Sequence, residues 1–146
     1  MEQREQAVWQ RVFAPAVSTA QQEDPAELLR NVRELAAIYA QLMTQTSGKD
    51  RQRLQQLHRG ELANLNCLKG VAALTGFSPG KLPPLSPKQE PLRKALAGCC
   101  HRTRRAILEY TARSSHPETG ILFRQMALRE EQQYALAAEL LGSMLP

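Results

Sequence analysis

Aromatic residues are scarce in this sequence, at 5% with a single tryptophan, which leaves little material for a β-rich core. Ala, Leu, Gln, Glu and Arg dominate instead, a balance that favours helices. Cysteine is also sparse. Cys67, Cys99 and Cys100 are odd in number and lack the paired spacing of a zinc or iron knuckle, so reduced, packing thiols are expected. No apolar run approaches the length of a membrane span, and Met1 to Gln10 is charged where a signal peptide would be apolar. These absences predict a cytoplasmic chain with no membrane partner.

What is present fits one domain: 146 residues, 42% of them hydrophobic, can bury a core without disulfides or a structural metal. The net charge is +5, and the densest cationic run is His101-Arg102-Thr103-Arg104-Arg105. A basic face at Arg93, Lys94, Arg104 and Arg105 raises nucleic acid as a partner, but such runs are usually solvated helix surface, and nucleic acid is not expected.

Asp24-Pro25-Ala26-Glu27 combines an N-cap, a proline at the first helical position and a capping-box carboxylate. It predicts a helix to about Thr46, with Leu28, Val32, Leu35, Tyr39 and Leu42 along one buried face, before Ser47-Gly48 turns the chain. A second helix, about 49–75, has a seam of Leu54, Leu57, Glu61, Asn64, Leu68 and Val71. The third, about 88–115, gives Leu92, Ala95, Cys99, Arg102, Ala106 and Glu109. The fourth starts near Pro117 or Glu118 and ends at Gly142, with Phe123, Met126, Glu130, Gln133, Ala137 and Leu140.

Between the second and third helices, Gly76 to Glu90 contains Pro79, Pro83, Pro84 and Pro87. Extended at about 3.1 Å per residue it spans roughly 46 Å, against a helix rise of roughly 40 Å. It can therefore traverse a whole bundle, which predicts two antiparallel hairpins joined by a long crossover. Residues 1–23, with Val8, Trp9, Val12 and Phe13, are expected to form a short helical arm packed on the bundle, which occupies 24–146.

Each predicted hairpin brings polar residues to one height. Glu34 lies fourteen residues before Gly48 and Glu61 thirteen after it, while Arg102 and Glu130 lie fourteen residues either side of His116. Asn64 and Gln133 each follow a glutamate by three residues, on the same helix face. Three buried carboxylates would need a cation, so either a metal ion or Arg102 is expected to compensate them.

These residues resemble the ferritin-like superfamily, closest to its rubrerythrin-type bundles, from about Asp24 to Gly142. That family carries a Glu on helices one and three and Glu-x-x-His on helices two and four, which together hold two iron or manganese ions. Glu34 in Glu34-Leu35-Ala36-Ala37-Ile38-Tyr39 is similar to the first element, and Tyr39 matches a tyrosine common near such sites. Glu61-Leu62-Ala63-Asn64 and Glu130-Glu131-Gln132-Gln133 are similar to the paired motifs, with an amide in place of each histidine. Arg102 stands where a helix-three carboxylate would be level, and Glu109 lies one heptad away.

The resemblance implies a ferritin-like four-helix bundle with Glu34, Glu61 and Glu130 as candidate or vestigial metal ligands. A carboxamide oxygen is a weak ligand where imidazole is a good one, and Arg102 carries a fixed charge in the space of a cation. The expectation is a non-catalytic domain in which Glu34, Glu61, Arg102 and Glu130 form a buried network completed by Asn64 and Gln133, with no cofactor. The competing expectation is a surviving iron or manganese site of rubrerythrin type, reducing peroxide or oxidising iron with a redox partner the sequence does not identify. His58 is read as a surface residue, His101 as a boundary one, and Tyr39 and Tyr110 as core aromatics with satisfied hydroxyls. A homodimer through a bundle face or the Trp9 arm is compatible with the pattern.

Overall fold

In a computed structural model the described residues form four helices: α1 (Pro25–Met43), α2 (Gly48–Thr75), α3 (Leu92–Ala112) and α4 (Gly120–Ser143). The structure describes residues 25–78, 82 and 84–144, and no strand occurs among them. The expected arm at residues 1–23 and the Asp24 cap lie outside the described residues. Among the described residues, no helix is long and apolar enough to cross a membrane.

Helix limits follow local chemistry. Gly48 and Gly76 adopt left-handed conformations at φ 62° and 70°, which a residue with a Cβ tolerates poorly, so the chain turns at both. At Gly76 the helix closes with the Phe77 amide donating to the Ala72 carbonyl at 3.0 Å. Helix α3 starts four residues later than the sequence predicts, because Pro91 caps it in an extended conformation and a proline keeps the residue before it out of helix. Helix α4 starts at Gly120 rather than near Pro117. The Gly120 amide donates to the His116 carbonyl at 2.9 Å, and a Cβ there would overlap the Ser114 carbonyl.

Helix α1 packs on α2 and α3, and α4 packs on α3 and α2. Cross-helix contacts set the directions. Arg53 pairs with Glu139 at 3.8 Å, the Leu57 carbonyl accepts from Gln133 at 2.6 Å and the Met126 carbonyl accepts from Asn64 at 3.4 Å. As α2 advances, α4 retreats, so the two are antiparallel. Since α4 also returns alongside α3, α2 and α3 run in the same direction, and the chain from Gly76 to Pro91 connects opposite ends of the bundle.

The apolar core has two parts. One gathers Leu28, Val32, Leu68, Val71, Tyr110 and Phe123, and the other Leu35, Leu42, Leu54, Leu57, Leu96 and Leu140. Between them, α2 changes from Leu57 to Leu68 through Glu61 and Asn64, and α4 from Met126 to Ala137 through Glu130 and Gln133. The expected seams of α2 and α4 are buried at every position, as is the α1 stripe. In α3 the expected Ala95, Cys99, Ala106 and Glu109 are buried, joined by Leu96, Thr103 and Tyr110, while Leu92 is half-buried and Arg102 exposed. Thr103, not Arg102, faces inward.

Candidate functional site

Glu61 and Glu130 lie wholly buried in the polar layer, and each is bound by the amide of the opposite helix. Asn64 Nδ2 on α2 donates to Glu130 Oε1 at 2.7 Å, and Gln133 Nε2 on α4 donates to Glu61 Oε1 at 3.4 Å and to the Leu57 carbonyl at 2.6 Å. The two Glu-x-x-amide segments thus clasp each other reciprocally. Arg129 fixes the orientation of one clasp: its guanidinium donates to Asn64 Oδ1 at 2.6 Å, and a guanidinium has no acceptor, so the Asn64 amino group must face Glu130. The same Arg129 lies 3.7 Å from the Cys67 sulfur.

Gln133 reaches α2 only because residue 60 is glycine. A Cβ at Gly60 would overlap the Gln133 side-chain amide. Mid-helix glycine costs about 1 kcal/mol relative to alanine, and here that cost admits the amide to the core.

Burial sets the protonation of the layer. Removal from water pushes the Glu61 carboxyl well above its ordinary value of 4.5, and the neighbouring Glu130 pushes it further. Burial also raises Glu130, while hydrogen bonds from Glu61 and Asn64 hold it down. One proton between two carboxyls is the arrangement these effects favour, since two adjacent buried charges repel. Burial likewise raises the Tyr39 phenol, with the charges of Cys99, Glu61 and Glu130 adding, and it pushes the Cys99 thiol up to about 12. Both groups stay protonated at neutral pH.

Among the described residues, Tyr39 Oη, Glu61 Oε2, Thr103 Oγ1 and Glu130 Oε2, one from each helix, are buried side-chain oxygens outside the amide clasps, and the two carboxyls face each other across the proton they share. The Tyr39 hydroxyl lies against the Cys99 thiol, with which it shares a hydrogen bond.

Two expected members of the layer are elsewhere. Arg102 and Glu34 pair with each other across α3 and α1, but their side chains are 43% and 29% exposed, at the rim of the bundle. A guanidinium that can reach water has no reason to enter the core, and Glu34 sits about 100° around the helix from the buried Leu35. The predicted buried network of Glu34, Glu61, Arg102 and Glu130 is thus two separate pairs. Glu109, buried one heptad along, is held by Arg113 at 2.6 Å.

No known family matches the chain. Neither family models nor curated proteins nor solved structures give a match. Among the described residues, no three His, Cys, Asp or Glu side chains are grouped to hold a metal ion. His101 is exposed, His58 is half-buried, and Cys67, Cys99 and Cys100 are free thiols.

Sequence reasoning missed Thr103, Arg129 and Gly60. An alternative three-and-four count through α3 reaches Thr103, and preferring a threonine to an arginine inside would have chosen it. Arg129 and Gly60 carry no signal of their own, since each acts only through a partner on another helix.

Proposed function

We propose that this chain is a ferritin-like bundle of rubrerythrin-related type that has given up its two-metal centre and acts as a non-catalytic domain. The observation that carries this reading is the reciprocal clasp. Where the resemblance would have two imidazole nitrogens offering lone pairs to metal ions, Asn64 and Gln133 direct N–H groups at the glutamate oxygens. A donor hydrogen repels a cation, and it occupies a carboxylate oxygen that would otherwise be free to hold one.

Two iron or manganese ions do not fit these residues. The Glu34 position is committed to Arg102 at the rim, α3 offers Thr103 instead of a carboxylate, and both histidines are absent. Arg129, acting through Asn64, and a proton held between Glu61 and Glu130 compensate the layer instead. The parallel course of α2 and α3 supports the ferritin-like connectivity.

The test is turnover. Protein purified from cells supplied with iron and manganese is expected to reduce peroxide and oxidise ferrous iron no faster than a protein-free control. Turnover abolished by Glu61→Ala and Glu130→Ala would refute the reading.

A further inference from the structure

A bundle helix ordinarily turns an apolar stripe inward and a polar face to water, and α4 departs from that pattern. Its buried line is Phe123, Met126, Glu130, Gln133, Ala137 and Leu140. Its outer side carries a second apolar line: Ile121 and Leu128, 67% and 56% exposed, and exposed Ala135. Seven-residue spacing returns to the same side of a helix, so the three stand in one row, roughly 21 Å long at about 1.5 Å per residue.

The row has ordered polar flanks. Arg129, which reaches Asn64 on α2, marks one side, and exposed Gln125 and Gln132 lie on it, four residues before Arg129 and three after. Exposed Arg124 and Glu131 line the other side. Among the described residues, neither of these two charges is paired.

This face is its own complement when reversed. A two-fold axis at Leu128 sets Leu128 against Leu128 and Ile121 against Ala135, large against small. The same axis brings each flank against the same flank of the other copy, so Arg124 meets Glu131 and Gln125 meets Gln132. A parallel copy would set the charged flank against the amide flank and leave both charges without partners.

We infer that the outer face of α4 docks on the same face of a second copy of this chain, antiparallel about a two-fold axis at Leu128. Such a self-complementary contact closes at two copies, so a dimer forms and not a filament. Glu130 and Gln133 point to the opposite side of α4, so the pairing neither uses nor requires the central polar layer.

Sedimentation equilibrium of the full chain, at concentrations rising to millimolar, tests this. A monomer–dimer equilibrium is expected, with no larger species. Leu128→Arg should abolish the dimer. Arg124→Glu and Glu131→Arg each place like charges together twice across the contact, and each should weaken self-association at least about tenfold. An equimolar mixture of those two variants should dimerise again as a mixed pair, because each chain supplies the charge the other lacks. All three positions are exposed, and circular dichroism verifies that the variants fold. A natural chain that stays monomeric throughout would overturn the inference. A dimer that survives Leu128→Arg would overturn it too, and so would a mixture of the charge variants that associates no better than either alone.

Discussion

At the scale of single residues, the layer depends on side chains that permit or aim others. Gly60→Ala illustrates the point. Helix propensity alone predicts a gain of about 1 kcal/mol, but the new methyl group would meet the Gln133 amide, and overpacking of this kind costs about 1–3 kcal/mol. A net loss of stability is expected by urea denaturation. In a Gln133→Ala background the same change should become neutral or favourable, since the obstruction is gone. Arg129→Met should cost about 1–3 kcal/mol by stranding Asn64 Oδ1, whereas Arg102→Ala, breaking an exposed pair, should cost less than about 1 kcal/mol. An Arg102 loss of about 3–5 kcal/mol would indicate that its charge is buried after all. Of these residues, Glu61, Asn64, Glu130 and Gln133 were legible in the sequence, because each interrupts an otherwise apolar seam at the expected height. Arg102 was misread because a three-and-four count fits two neighbouring lines on α3 equally well, and only the choice of partner separates them.

At the scale of the helices, the pairing of α2 with α4 makes stability depend on pH. Glu61 and Glu130 hold their protons more tightly in the folded chain than a free carboxyl near 4.5 would. The native state therefore binds more protons than the unfolded state between that value and the folded one. Their contribution is complete below about pH 4.5 and is lost as pH rises through the folded values. Glu61→Gln should remove the larger part of this loss. Its melting temperature relative to the natural chain is expected to climb from pH 4.5 to 8, and a constant difference would show that Glu61 ionises normally. The helices themselves were readable from apolar spacing, which placed α1, α2 and α4 on their buried faces. Their ends were less so. Pro91 fixes the start of α3, but that constraint competes with the favourable residues from Lys88 onward, and the proline wins because its ring excludes helix from Glu90.

At the scale of the whole molecule, the defining feature is that α2 and α3 run in the same direction. The proline-rich span between them carried this in the sequence through its reach alone. Spin labels at Leu74→Cys and Arg93→Cys, both exposed positions, should lie about 30 Å apart along the bundle axis once Cys67, Cys99 and Cys100 are replaced. A bundle with short loops throughout would bring these two labels to the same end. What the sequence could not convey was how the centre is compensated, because Arg129 and Gly60 act only once the helices are assembled. The central claim is the proposal that this centre holds no two-metal site. Metal analysis of the chain purified from cells grown with iron and manganese tests it most directly. Less than stoichiometric metal is predicted, and near-stoichiometric iron or manganese, lost in Glu61→Ala, would contradict it.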